Sequence, residues 1–514
     1  MSRRSRTHTS GRRYTPPTPR LVEARVGREL EPEWVARMQA GSRAGRLALG
    51  VGAAQAPPPG LAQLEYRCDH EGLTGFAGLP ALMRLGYGLG LADWVTGLPL
   101  RRRRDTVYGP GKLCEVVVAI LAAGLERVSH IDDVKHDPGL GLSVGLPQLP
   151  DQATLSRFFG DVTPAAEVHL REVNRRFSQL ALSGLPPLSR LVVDCDTRTV
   201  ALYGKQEGTV RSRRSDGRPM YTFEISALRN THEILEGGLL EGATHPAPLF
   251  AERFERLVQQ VAGQTAELIL CADAAWYADH ILEMIEAADA SPWVLCACKY
   301  AIRAQVRATL RRKISALPES AWQRYDEQLE VAEITFAFTQ TRRAKGKRNT
   351  GHVTRRYIAT RKRLPERDPA PGQLFPEPRY ECYAIATNLT WNAKRIVKLF
   401  NGRATIESIL KESSLGFHMD SLPSARFSGN GVFCQLLILT YNLVNLLRRY
   451  GLPADDARHH APTLRRRFLA IAGWVESTPT RTVIHVAPIG PHVAWLEHLQ
   501  PAFARGLSPP GAVS

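Results

Sequence analysis

LVVDCDTRTVALYGKQEG, residues 191–208, sets two carboxylates, Asp194 and Asp196, into a run otherwise rich in β-branched and apolar side chains. Aspartate is a poor strand former, and burying an ionised carboxylate is costly unless something pairs with it. The two acids are two residues apart, so on a strand both point to one face. Either the pair looks into solvent from an edge strand, or it is held there for chemistry.

The surrounding pattern favours a buried strand in an α/β domain. Strand-like runs follow at 220–228 (MYTFEISAL) and at about 234–240, then a helical pattern at 249–263. After it come a short apolar strand ELILCAD ending at Asp273, a helix ADHILEMIEAAD and a strand WVLCACKYA. Three strands, a helix, then strand–helix–strand is the order of a ribonuclease-H-like α/β core. Upstream, from about Leu73 to Leu182, the periodicity is helical, and Asp151 is placed to cap the segment DQATLSRFFGDV. A compact set of short helices in a basic chain could dock on DNA, or could be helical packing alone.

Downstream the order is interrupted. Residues 302–390 alternate as strands do, around the basic run TRRAKGKR and the proline-rich LPERDPAPGQLFPEP, and read as a mostly β insertion. Helices resume with NAKRIVKLFNGRATIESILKESS and GVFCQLLILTYNLVNLLRRY. The expected organisation is a basic arm and linker (1–65), a helical, DNA-binding domain (66–185), the first part of the catalytic core (186–301), the β insertion (302–390), a helical completion of the core (391–450), and a C-terminal helix and tail (451–514).

The totals agree with a folded protein whose partner is polyanionic. Lys+Arg 67 against Asp+Glu 50 gives a net charge of +17 over 514 residues, and the pI is near 9.7. Such a balance favours nucleic acid or an anionic membrane surface, although liberal arginine usage alone would raise it. The N-terminus, MSRRSRTHTSGRRYTPPTPR, has no apolar core and is not a secretory signal. The longest apolar stretch, Gly431 to Leu447, contains Gln435, Asn442 and Asn445 and is short of the roughly 20 residues that a membrane span needs. It reads as a buried helix, with no membrane partner. Eight scattered cysteines without a C-x-x-C pair argue against zinc and for a reducing compartment. Cys195, Cys271 and Cys296 read as small hydrophobes.

Asp273 closes one strand where Asp194 and Asp196 occupy another, and acids at the ends of neighbouring parallel strands converge in the crevice where open α/β sheets place ligands. Glu407 lies on a helix with Arg403 four residues before it and Lys411 four after it, on one face. Alone, that ladder is a solvated helix face. Together, two strand carboxylates and a helix carboxylate suit two hard cations about 3.5–4 Å apart, one activating a water or 3′-hydroxyl and the other stabilising the leaving oxygen. Mg2+ (or Mn2+) suits so few protein oxygens because magnesium keeps several waters. On this reading the aspartates tolerate their strand because metal ions compensate their charge.

These motifs carry a family resemblance. DCDTRTVALYGKQEG resembles the first-aspartate motif of DDE transposases of the insertion-sequence-1380 family, and GRPMYTFEISAL, LEGGLLEGATHPA and CADAAWYADHILEMIE continue the likeness. LFNGRATIESILKESSLGFHMDSLPS resembles the third-acid helix, and LPQLPDQATLSRFFGDVT the N-terminal helical region. The likeness spans roughly Phe76 to Tyr450. It implies a catalytic, metal-binding triad of Asp196, Asp273 and Glu407, with Asp194 in a supporting position, and a ribonuclease-H-like fold with a β insertion between the second and third acids. It also implies action on double-stranded DNA, at the inverted-repeat ends of an insertion sequence and at a target, by a homodimer assembled on DNA in the bacterial cytoplasm at the nucleoid. In the wider superfamily, excision can pass through a DNA hairpin. Phe400 stands where the signature has tyrosine, and Ser414 where it has lysine; Lys411, one turn earlier, could substitute.

Other residues have two readings each. Lys205 and Gln206 fall in a hairpin turn between Gly204 and Gly208, where Lys205 grips a phosphate or is merely exposed. Trp276 and Trp391 could stack on an unpaired base or pack in the core. His245 could line the site or serve structure. Lys345, Lys347 and Arg348 form a basic loop that tracks DNA or is simply solvated, and Arg12 and Arg13 would add only salt-sensitive affinity. Three functions remain: an active transposase, a catalytically degenerate transposase-derived DNA-binding protein, and a ribonuclease-H-like RNA-processing nuclease.

Overall fold

The computed structural model describes residues 67–504 apart from 68, 102–106, 185, 246, 292–293, 345–346 and 365–379, and over 338–352 and 500–504 it describes the backbone alone. The expected basic arm, with Arg12 and Arg13, lies outside the described residues. From Glu71 onward the chain forms one compact unit.

The strands are β1 (Leu73–Thr74), β2 (Leu191–Ala201), β3 (Val210–Arg211), β4 (Pro219–Leu228), β5 (Ile234–Leu240), β6 (Glu267–Ala272), β7 (Ala297–Ala304), β8 (Gln323–Arg324), β9 (Leu329–Ala344), β10 (Lys347–Arg363), β11 (Tyr380–Thr387), β12 (Gly473–Ser477) and β13 (Thr482–Val486). Helices of eight residues or more are α1 (Leu79–Gly88), α2 (Pro110–Ala123), α3 (Gln152–Asp161), α4 (Pro164–Ser183), α5 (Phe250–Val261), α6 (Asp279–Asp289), α7 (Ala308–Ser315), α8 (Ala393–Asn401), α9 (Ala404–Leu415), α10 (Phe427–Tyr450) and α11 (Pro491–Ala504). The cap expected at Asp151 is present, its side chain accepting from Thr154 N at 2.8 Å.

One ten-stranded sheet organises the unit, in the order β3–β4–β2–β6–β7–β11–β10–β9–β8, with β5 also paired to β4. Strands β2, β6 and β7 run parallel, as crossovers through α5 and α6 require, and β4 runs antiparallel to both β2 and β5. Strand β2 is apolar on both sides because helices cover both faces. Leu191, Val193 and Cys195 meet the cluster that includes α5 and α6, while Val192 meets Ile396, Val397 and Phe400 of α8. Asp194 and Asp196 share the α8–α9 side by alternation.

The segment 302–390, read as a mostly β insertion, supplies strands β8 to β11. Strand β11 pairs with β7 and with β10, so the segment extends the central sheet by antiparallel addition. Beyond the reach of β11, β9 and β10 continue together as a two-stranded ribbon.

Helix α10 differs from its sequence reading. At 24 residues it is long and apolar enough to cross a membrane, and its apolar window is entirely covered by protein. Burial, not shortness, separates it from a membrane span. Its amides explain themselves: Asn442 both accepts from Ile234 N and donates to Ile234 O at 2.9 Å, Gln435 donates to Gly237 O at 2.9 Å, and Asn445 donates to Thr231 O at 2.8 Å. Polar side chains spaced along an apolar helix thus satisfy peptide groups of β5 and of the turn before it.

Candidate active site

Strands β2 and β6 pair in parallel register from Leu191↔Leu268 to Cys195↔Ala272. One step further along the same register are Asp196 and Asp273, side by side where β6 ends. Asp273 leaves the strand at its C-terminal end and caps the short turn Ala274–Trp276, its Oδ1 accepting from Ala275 N at 2.9 Å. Asp196 Oδ1 accepts from Thr197 N at 2.8 Å.

Helix α9 comes over this pair from the other end of the sequence. Arg403, at its N-cap position, places Nη2 3.2 Å from Asp196 Oδ2 and donates to Cys195 O at 3.2 Å. Its guanidinium also lies over the Phe400 ring, 5.4 Å from the centroid. Glu407 is exposed in the first turn of α9, where the helix dipole favours a negative charge. The other glutamate of α9, Glu412, near its C-terminal end, is buried and paired with Arg448. Burial raises the Asp196 carboxyl above its usual range, Arg403 and the Thr197 amide pull it back, and the Asp273 and Glu407 carboxylates push it up again. Asp196 therefore stands within the field of the other two acids. The oxygen-only donor set fits a hard divalent cation, and mutual repulsion at a largely buried carboxylate is what a cation would relieve. Among the described residues, no three acid, histidine or cysteine side chains already stand close enough to enclose an ion. Arg403 holds the Oδ2 side of Asp196 instead.

Asp194 has a different role from its neighbour. It is 1% exposed and receives a bidentate fork from Arg229, Nε to Oδ2 at 2.9 Å and Nη2 to Oδ1 at 2.5 Å. The third guanidinium nitrogen, Nη1, donates to Leu399 O at 2.6 Å in the last turn of α8. Burial pushes the Asp194 carboxyl up, and Arg229 and then Arg403 oppose that. An arginine, and not a metal, thus compensates this acid's charge, which corrects the sequence reading for Asp194. The pair ties β2 to the turn that launches α9. Arg229 escaped the sequence reading because it meets Asp194 only through the antiparallel register of β4.

The YGKQEG stretch is not a hairpin, because β4 lies between β2 and the β3 that follows the loop. Its acid anchors helix α10: Glu207 Oε2 accepts from Phe427 N at 3.1 Å, and Glu207 N donates to Ala425 O at 2.8 Å. Gly208 has φ +72°, and a Cβ there would come within 2.9 Å of Glu241. Gly208→Ala is accordingly expected to lower stability by about 1–2 kcal/mol, read as an earlier midpoint in urea unfolding. Lys205 is exposed, and Gln206 lines a cleft of about 480 Å3 with Arg127, Gln152, Ser156 and Asp420.

The residues with two readings take these places. Trp276 is 1% exposed and packs edge-on against Phe250, so it cannot stack on a base in this conformation. Trp391 carries the guanidinium groups of Arg190 and Arg395 over its ring, 4.3 and 3.9 Å from the centroid. His245 accepts from Ala247 N at 3.3 Å, a structural role. Phe400 is 8% exposed within the α8 cluster, and Ser414 is 4% exposed with its hydroxyl unpartnered, so neither departure from the signature faces Asp196 openly. Lys411 is exposed on α9. Lys345 and the side chains of Lys347 and Arg348 lie outside the described residues. Cys195, Cys271 and Cys296 are buried as expected, and burial pushes the first two thiols up to about 12.

Comparison with known proteins places the chain in a class. Residues 62–505 match the family described as Transposase DDE domain group 1, and the chain belongs to that family. No curated protein matches it. Among similar solved structures is the cryo-EM structure of the piggyBac transposase synaptic complex with hairpin DNA. That likeness has 10% identity and a TM-score of 0.41, and it covers 77% of this chain and 81% of that one.

Proposed function

We propose that this protein is a transposase that binds the inverted-repeat ends of an insertion sequence, cuts DNA there and joins the new 3′-hydroxyls to target DNA. The observation that carries this reading is the meeting of Asp196, in the middle of β2, with Asp273, at the end of β6, beneath the helix of Glu407. The strand order β5–β4–β2–β6–β7, with β4 antiparallel, supports a ribonuclease-H-like core for it. The motif likeness to the insertion-sequence-1380 family supports the choice of substrate.

Asp196, Asp273 and Glu407 would hold two divalent ions, which supply an activated oxygen nucleophile and charge stabilisation at the leaving oxygen. The chain's own residues prepare the place. Arg229 fixes β2 against the end of α8 through Asp194, and Arg403 keeps the Asp196 carboxylate turned toward α9. Cutting and joining are both in-line displacements at phosphorus, so one carboxylate site serves both in turn. Two ends must be held together, which calls for a homodimer on DNA, at work in the bacterial cytoplasm.

The test is cleavage of labelled inverted-repeat DNA with magnesium. Cuts at the repeat ends are expected. Tight binding without any cut would favour the degenerate DNA-binding reading, to which the buried Ser414 at the signature lysine position points. Preference for an RNA–DNA hybrid over duplex ends would favour a nuclease acting on RNA. Inverted repeats flanking the gene would identify the element itself.

A further inference from the structure

We propose that the loop following β2, residues 203–218, is a second contact surface for duplex DNA, gripping the phosphate backbone about five base pairs from the acids. This rests on the transposase reading and adds residues that the motifs do not mark. The sixteen residues YGKQEGTVRSRRSDGR hold five basic side chains, Lys205, Arg211, Arg213, Arg214 and Arg218, against two acids, Glu207 and Asp216. One of those acids, Glu207, is already engaged at the start of α10.

Several arginines elsewhere in the molecule have their charge cancelled by an acid. Arg256 pairs with Glu236, Arg356 with Glu333, Arg361 with Glu319 and Arg448 with Glu412. Among the described residues none of the four loop arginines is ion-paired. Arg211 donates to Gly217 O at 2.9 Å, and Arg218 donates to Ser215 O at 3.3 Å and to Tyr203 Oη at 2.8 Å. Arg213 and Arg214 are exposed. Neutral acceptors orient Arg211 and Arg218 without cancelling their charge, so the patch keeps its field for an external polyanion.

The loop is also built, not slack. Ser215 is buried, its hydroxyl hydrogen-bonded to Ser212 O at 3.0 Å and Arg218 O at 2.6 Å, and Gly217 takes the left-handed φ of 75° that closes the turn. Tyr203, 89% exposed, lies against the Arg218 guanidinium at 5.1 Å. A preformed cationic surface loses little freedom on binding. Its distance fits a duplex running past the acids: from Asp196 to Ala201 strand β2 advances about 17 Å at roughly 3.3 Å per residue. That is about five base pairs at roughly 3.4 Å each.

The experiment measures binding of the full chain to a fluorescent 30-base-pair duplex by anisotropy across a salt series, with cleavage of inverted-repeat DNA scored in parallel. The unaltered protein is compared with R213Q/R214Q, whose side chains make no structural contact, and with R211Q/R213Q/R214Q/R218Q. Each lost phosphate contact lowers the slope of log K against log salt by about 0.9, so R213Q/R214Q is expected to lower it by about 1.8 with an unchanged melting temperature. An unaltered slope and affinity in R213Q/R214Q would overturn the inference while the parent's cutting upholds the transposase reading. A loss confined to anionic vesicles, with duplex binding intact, would overturn it too. A parent that neither binds nor cuts DNA would remove both.

Discussion

Asp196→Asn is expected to reduce metal-dependent strand cleavage by about a thousandfold or more while leaving the folded protein at least as stable at neutral pH. The loss follows because the neutral amide no longer holds a cation whose charge stabilisation is worth several kcal/mol, each 1.36 kcal/mol being tenfold in rate. The stability follows from the raised carboxyl. Burial, with Asp273 and Glu407 nearby, lifts Asp196 above its unfolded value despite Arg403. An acid raised in this way favours the fold below the ordinary carboxyl range, and that contribution is lost as pH climbs through the folded value. At neutral pH its ionisation works against folding, and asparagine removes that cost. Melting curves at pH 4.5 and 7.5 without metal should show a smaller fall for the variant than for the parent. Cleavage at the parental rate would refute the assignment of Asp196, and a much lower melting temperature at pH 7.5 would refute the electrostatic account.

The second large effect is expected at Arg229→Met. Removing the fork leaves Asp194 buried and unpaired, which costs about 3–5 kcal/mol. It also cuts the tie from Nη1 to Leu399 O, so α9 loses its fixed place over β2 and cleavage should fall even where the protein remains folded. Gly402 shows how tightly this joint is built, since a Cβ there would come within 2.6 Å of Arg229 Nη1. Replacing both partners, as D194N/R229M, should recover much of the stability, because the uncompensated charge is gone. Urea unfolding of the two variants separates these terms. An R229M protein as stable as its parent would show that Asp194 carries no buried charge.

The strands and helices around the acids were legible because their signals are local. The strand-like apolar runs read at 191–203, at 220–228 and in ELILCAD and the crossover helices appear close to where they were expected. The pairing that makes β11 continue the sheet beyond β7 was not legible, since antiparallel addition leaves no local mark different from that of a separate β module. The apolar run of α10 illustrates the same limit. Its composition allows a membrane span, and only its packing against β5 and the turn before it gives Gln435, Asn442 and Asn445 their partners. Trp276 likewise has the chemistry for base stacking but is closed off by Phe250.

What the sequence by itself determined is the kind of chemistry and the elements that bear it: two acids on one strand face, a third at a strand end, a fourth on a late helix, and a basic balance suited to a polyanion. Only the tertiary structure decided which partners each acid meets. Asp194 and Asp196 share a strand and a face, yet one is sealed by Arg229, which follows β4, and the other stands in the field of Asp273 and Glu407. Periodicity sets the direction of a side chain, whereas its environment comes from segments distant along the chain, and that environment determines whether a carboxylate supports the fold or is left to bind.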